Sequence, residues 1–337
     1  MKTTVSFDDV LLVPKKSDIS SRSEISLESS ISNTSFQLPI ISSPMDTVTE
    51  SGMASLMNDL GGLGIIHRYN SVEEQVELVR ESVNSGASSI GAAIGVTDDY
   101  RSRAGALFDA GARYICVDVA HGHHQNVERA LKSLRDDLGN AIILLAGNVA
   151  TARAFEDLSS WGADAIRVGI GGGSICSTRI QTGHGVPTLQ SVMDCSIAGD
   201  AALIADGGIK TAGDIVKCLA AGADFVMLGS LLAGTDTSPG EVLVDKEGSK
   251  YKVYRGMASR EAQEAWRSRV GSLEGISTTI SYRGSTRDIL SDLARNIRSG
   301  LSYSGVRDLR SFQHSAEFIM QTPAAQIESS THILNRR

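Results

Sequence analysis

Residues 202–230 read ALIADGGIKTAGDIVKCLAAGADFVMLGS. Two short apolar runs, ALIADGG (202–208) and FVMLGS (225–230), flank TAGDIVKCLAA (211–221), whose apolar residues recur at helical spacing behind an N-cap at Thr211. Runs that are apolar on both faces suit parallel strands covered by helices. The stretch is therefore a strand–helix–strand unit. Both strands run out into glycines beside polar side chains, Asp206-Gly207-Gly208 and Gly229-Ser230.

The unit repeats upstream. LPIIS (38–42), GLGIIH (62–67), SIGAAIG (89–95), YICVDVA (114–120), AIILLAG (141–147) and AIRVGI (165–170) read as six further strands. SVEEQVELVRESV (71–83) and HQNVERALKSLRDDL (124–138) read as helices between them. Gly-Ala pairs at 86–87, 111–112, 162–163 and 222–223 each stand just before a strand, where glycine ends a helix in the left-handed conformation. Eight strands alternating with helices predict an α/β TIM (β/α)8 barrel. An open doubly wound sheet fits less well, because no GxGxxG follows the first strand.

Residues 1–337 thus read as one catalytic barrel domain with an N-terminal extension over 1–37 and a flap at about 245–284 after strand eight. In the flap, DKEGSKYKVYRG (245–256) is a hairpin, and the rest lacks periodicity and reads as mobile. STRDILSDLARNIRSGL (285–301) is the last barrel helix, and the polar tail, 319–337, is expected to be ordered only by a neighbouring subunit.

Charge is spread evenly: 32 Lys and Arg against 39 Asp and Glu give −7, without a long run of one sign, which argues against a nucleic-acid or membrane surface. The N-terminal apolar run is too short for a signal peptide and no stretch reaches membrane-spanning length, so a soluble cytoplasmic protein is expected. Cys116, Cys176, Cys195 and Cys218 show no CxxC spacing and read as reduced thiols.

In this fold chemistry gathers at the C-terminal ends of the strands. That rule collects Asp46, His67, Asp118, His121, Asn148, Cys176, Asp206, Gly207, Gly208, Gly229 and Ser230. Asp46 and Asn148 suit N-caps of the following helices equally well, and HGHH (121–124) lacks the spacing of a zinc site. Glycine N–H groups after the last two strands suit a phosphate, and Asp206 suits the two hydroxyls of a ribose, so the pair reads as a nucleoside monophosphate site. Cys176 lies in GIGGGSICSTRIQTGHG (169–185), among glycines and hydroxyls where a packing cysteine would not be placed. It reads as a thiolate nucleophile facing a purine.

FDDVLLVP (7–14), SPMDTVTE (43–50), GSICSTR (173–179), ADGGIK (205–210), VMLGSLLAG (226–234), YRGM (254–257) and EGI (274–276) resemble motifs of the IMP dehydrogenase/GMP reductase family, over Phe7 to about Phe318. The resemblance implies a TIM barrel, a homotetramer and a nicotinamide cofactor. It makes Cys176 the nucleophile at purine C2, with Thr178 and Glu274 handling protons. It assigns Asp206 to the ribose, and Ser174, Gly208, Gly229, Ser230 and Tyr254 to the phosphate. Met45 and Met257 line the base, with Gly207 and Gly256 beside them. Asp118 faces the nicotinamide ribose, Ala120, His121 and Asn148 share that half, and the carbonyls of Gly171, Gly173 and Cys176 hold a monovalent cation, potassium.

Within the family the chain resembles the reductase branch more closely, which implies NADPH-dependent deamination of GMP to IMP and ammonia. Only 16 residues separate Met257 from Glu274, and the interval holds Trp266, Arg267 and Arg269 but not the Arg-Tyr pair with which dehydrogenases activate water. The regulatory CBS pair is missing after helix 71–83, and DVAHGHH (118–124), Thr182, SRSE (21–24) and the MAS…EGIST pattern are similar to reductases. SPMDTVTE, GSLLAGT and YRGM are more similar to dehydrogenases, and Gly172 replaces a usual proline. Gly271 and Leu273 stand where reductases carry a flap arginine and serine, which leaves a deoxynucleotide as another substrate. The alternatives are an IMP dehydrogenase without CBS domains, using NAD, and a non-catalytic purine-nucleotide-binding relative. A flavin-dependent barrel would not need Cys176.

Overall fold

Each of the eight apolar runs forms a strand of a closed, all-parallel barrel in a computed structural model that describes residues 3–97, 99–266, 270–329 and 331. The strands are β1 (Ile40–Ser42), β2 (Leu63–Ile66), β3 (Ile90–Ile94), β4 (Tyr114–Asp118), β5 (Ile143–Val149), β6 (Ala165–Val168), β7 (Ala202–Asp206) and β8 (Phe225–Leu228). β8 closes the ring by pairing with β1, Val226 opposite Ile40. This is a TIM barrel.

Side chains alternate along each strand. On β4, Ile115 and Val117 face the helices, while Tyr114 and Cys116 face the barrel axis with Leu63, Ile65, Leu145 and Ile204. The same alternation carries Asp118, Arg167 and Asp206 to the axis at the upper ends of β4, β6 and β7. At the opposite end the hairpin Ser29–Ile31/Thr34–Phe36 closes the barrel. Its Phe36 meets Tyr114 and Phe225, the first residues of β4 and β8, edge-on at 5.7 and 5.5 Å.

All four Gly-Ala glycines have positive φ, from 95° to 119°. Two of these pairs continue into aspartates that brace a neighbouring strand. Asp164 Oδ2 accepts from the Leu144 N–H and Asp224 Oδ2 from the Leu203 N–H, both at 2.7 Å. Helix Val72–Asn84 runs straight on to β3, with no inserted unit between them. Among the described residues no helix is long and apolar enough to cross a membrane.

Two expectations are corrected. The aperiodic part of the flap contains helix Arg260–Trp266 and strand Ser277–Ser281. That strand pairs with Lys250–Arg255 and makes the expected hairpin a three-stranded sheet. Seven and five residues are too few to show a period, and the pairing partner lies more than twenty residues upstream. The tail, in turn, is ordered by its own chain as far as Glu328. Phe318–Met320 pairs antiparallel with Val10–Leu12, and helix Pro323–Glu328 follows. Arg267, Arg269 and the last six residues lie outside the described residues.

Candidate active site

The upper strand ends open into a cavity of about 520 Å³. Its lining takes in Met45, Ser174, Asp206, Gly207, Gly208, Gly229, Ser230, Tyr254, Gly256 and Met257 on one side, and Asp118, Ala120 and Asn148 on the other. Gly171, Gly173, Cys176, Thr178 and Glu274 lie between them. The structure therefore gathers every sequence-predicted site residue but three: Asp46 and His67 lie outside this lining, and His121 sits on an exposed loop away from it.

His67, His123, His124, Asp46 and Asn148 are each held by partners within the protein. His123 Nε2 lies 2.8 Å from Asp157 Oδ2, and His124 Nδ1 accepts from the Asn126 N–H to cap a helix. His67 is buried and accepts the Tyr69 N–H at Nδ1, so its Nε2 donates to Glu50. Among the described residues no cluster of His, Cys, Asp or Glu could hold a metal ion. Asp46 caps no helix; it pairs with Arg255 of the flap sheet, Nε to Oδ2 2.9 Å. Asn148 is not a cap either, since Thr151 caps the next helix. Its Nδ2 donates instead to Asp206 Oδ2 and the Gly169 carbonyl, each at 2.8 Å.

Cys176 differs from the other cysteines in its surroundings. Cys116, Cys195 and Cys218 are buried, and burial pushes their thiols up, to about 11 for Cys116 and about 12 for Cys195. Cys176 is half-buried and its Sγ–H donates to Thr178 Oγ1 at 3.1 Å. Thr178 Oγ1–H donates in turn to Glu274 Oε2 at 2.9 Å. The three groups form a directional path from thiol to carboxylate. Backbone pairing holds it together: the Ser177 N–H donates to the Glu274 carbonyl at 2.8 Å and the Ile276 N–H to the Ile175 carbonyl at 3.1 Å.

Arg167, read as part of an apolar run, joins the two halves of the cavity. Buried at the axis, it donates through Nη1 to Asp118 Oδ1 (2.6 Å) and through Nη2 and Nε to Asp206 Oδ2 (2.9 and 3.1 Å). Asp118 Oδ2 accepts from Arg68 Nε at 3.3 Å and the Tyr69 hydroxyl at 3.1 Å. Burial alone would raise the Asp118 carboxyl, but Arg167, Arg68 and Tyr69 hold it below the usual range. Burial, reinforced by Asp118, pushes the Tyr69 hydroxyl up, so Tyr69 stays a donor. At the glycine end, Arg283 Nη1 donates to the Ser230 carbonyl at 2.8 Å and brings a positive charge to the expected phosphate position. Arg167, Arg68, Tyr69 and Arg283 were missed in the sequence. The one available signal was an arginine at an inward register position of an apolar strand.

A closed barrel with glycine turns after β7 and β8 and a cysteine loop after β6 defines a TIM-barrel enzyme with a thiol-centred site. The model of the IMP dehydrogenase / GMP reductase domain matches residues 4–332, and the chain belongs to that family of oxidoreductases. It is 34% identical to an inosine-5'-monophosphate dehydrogenase of Nitrosopumilus maritimus, with 98% of each chain covered. It is 32% identical to a GMP reductase of Leishmania major, with 98% and 97% covered. A crystal structure of a cysteine-to-alanine variant of GMP reductase from Trypanosoma brucei, in complex with guanosine 5'-monophosphate, superposes with a TM-score of 0.93 at 30% identity, covering 98% of both chains.

Proposed function

We propose that this protein is a GMP reductase that converts GMP to IMP and ammonia through a covalent bond between Cys176 and purine C2. The observation that carries the reading is the Cys176–Thr178–Glu274 path in a site whose flap interval, residues 258–273, contains no tyrosine and so no Arg-Tyr pair for activating water. The solved relative bound to guanosine 5'-monophosphate supports a purine nucleotide as ligand.

In this reading the phosphate lies on the glycine turns after β7 and β8 with Ser174 and Tyr254, and the ribose lies at Asp206. Among the described residues every hydrogen bond to Asp206 ends on Oδ2, so Oδ1 is left to accept from a ribose hydroxyl. The thiol proton passes through Thr178 to Glu274 as sulfur attacks C2. Glu274 returns that proton to the 2-amino group, the C2–N bond breaks, and ammonia leaves with the purine attached to sulfur. The other half of the cavity suits a nicotinamide dinucleotide: Tyr69 offers a ring face, and Arg68 offers a cation for a pyrophosphate or ribose oxygen. NADPH, when bound there, would supply the hydride that C2 needs; as the C2–H bond forms the C2–S bond breaks, and Cys176 leaves as a thiolate that takes up a proton from solvent along the Glu274–Thr178 path. Asp118, Ala120 and Asn148 would hold the dinucleotide. The Gly171–Cys176 loop offers carbonyl oxygens, which suit a monovalent cation such as potassium, held by Gly171, Gly173 and Cys176.

Motifs such as YRGM and the Nitrosopumilus relative favour a second reading, IMP oxidation with NAD. The test follows nicotinamide absorbance with GMP and NADPH and, separately, with IMP and NAD. Loss of signal with ammonia release in the first sustains the reductase; a rise in the second overturns it. Cys176→Ala is expected to lower turnover by about 10⁴-fold or more while nucleotide affinity changes only a few-fold, because it removes the covalent step and leaves the cradle.

A further inference from the structure

Trp266 closes the flap helix against the barrel. Its ring meets Tyr69 edge-on at 4.8 Å, and the Arg68 guanidinium lies 5.7 Å from the indole and 5.0 Å from the Tyr69 ring. Both barrel residues hold Asp118 Oδ2. One turn back on the same helix face, buried Gln263 grips the extended segment leading to the relay. Its Oε1 accepts the Gly271 N–H at 2.7 Å and its Nε2 donates to the Ser272 carbonyl at 2.8 Å. Ser272 Oγ then donates to Glu274 Oε1 at 3.2 Å, on the carboxylate whose other oxygen meets Thr178.

We infer that Trp266 is a positioning residue: packed on Tyr69 and Arg68, it ties the Asp118 half of the cavity to the Glu274 carboxylate through Gln263 and Ser272. The inference rests on the relay proposed above and assigns a flap side chain to its geometry. The backbone pairing at Glu274 fixes where that residue sits. The Trp266 contact fixes the segment that orients its side chain, and small displacements of an acid–base group are costly in rate. It also makes the two halves interdependent, since Arg68 and Tyr69 cannot shift to meet a ligand without loading the helix that carries Gln263.

A double-mutant cycle tests this, run on whichever reaction the wild-type enzyme turns over. Trp266→Ala should lower kcat about tenfold, Trp266→Phe should recover most of the loss, and Trp266→Ala with Glu274→Gln should be no slower than Glu274→Gln alone. Effects that multiply, or a Trp266→Ala kcat within twofold of wild type, would overturn the inference. If Trp266→Ala does not fold, Tyr69→Leu enters the same cycle from the barrel side with the same expectation. IMP oxidation in place of GMP reduction would defeat the proposed function and still leave the cycle to judge the tether. A readout without turnover uses Trp161→Phe, which leaves Trp266 as the sole tryptophan of two. There, Glu274→Ala should about double acrylamide quenching of Trp266, because coupling is reciprocal; unchanged quenching would refute it.

Discussion

The two aspartates at the mouth of the barrel share one arginine and are otherwise wired differently. Asp206, on the side proposed for the nucleotide, takes its three hydrogen bonds among the described residues on Oδ2 and leaves Oδ1 open. Asp118, on the flap side, has both oxygens engaged, by Arg167 on one and by Arg68 and Tyr69 on the other. The half proposed for the nucleotide is thus a preformed surface of backbone and one half-free carboxylate. The flap half is an ion-pair network, and a ligand entering it has to compete with groups already in place. Preorganisation lowers the cost of binding on the first side, and the second can favour ligand binding only as far as its own contacts rearrange.

Removing Arg167 should break both halves at once. Arg167→Met leaves Asp118 and Asp206 without their shared cation in a buried site, a change expected to cost about 3–5 kcal/mol, read by urea denaturation. A loss below about 1 kcal/mol would mean that water or Arg68 already screens the pair. Gly229→Ala should strike the nucleotide half alone. Its Cβ would sit 3.3 Å from both Met45 Sδ and the Tyr254 hydroxyl, and roughly tenfold weaker nucleotide binding is expected by calorimetry. Tyr69→Phe is the matching change on the other side: it keeps the ring against Trp266 and deletes one bond to Asp118. The cofactor KM should change about fivefold, with nucleotide affinity untouched. A change in nucleotide affinity of equal size would show that Arg167 transmits between the halves.

The smallest effect is in pH. The folded Asp118 carboxyl lies below its unfolded value of about 3.9. Its ion pairs therefore contribute fully above about pH 4, and the contribution is lost as pH falls through the folded value. Asp118→Asn should flatten the urea midpoint in that acid range and leave its pH dependence near neutrality as in wild type.

The residues of the half proposed for the nucleotide, which the structure brings into one cavity, stand out in sequence because their signals are local. Glycine after a strand, a carboxylate before the glycines and a cysteine among hydroxyls each stand out within a few residues. The residues of the flap half do not. Arg167 hides in the run AIRVGI, and its partners lie 49 and 39 residues away. Helix Arg260–Trp266 is too short to show a period, and Trp266 meets barrel residues almost two hundred positions upstream. His121 is collected by its place after a strand and given to the cofactor half only by the resemblance, and it sits exposed outside the cavity lining.

Periodicity, helix caps and glycine positions, all set by short-range sterics and burial on one chain segment, were enough to determine eight strands, a closed barrel and the end of it where chemistry belongs. Closure of the ring decided the rest. Only when β4, β6 and β7 stand side by side do two carboxylates need an arginine between them, and only when the flap folds back does Glu274 reach Thr178. Those contacts depend on the relative placement of distant segments, which no local pattern encodes.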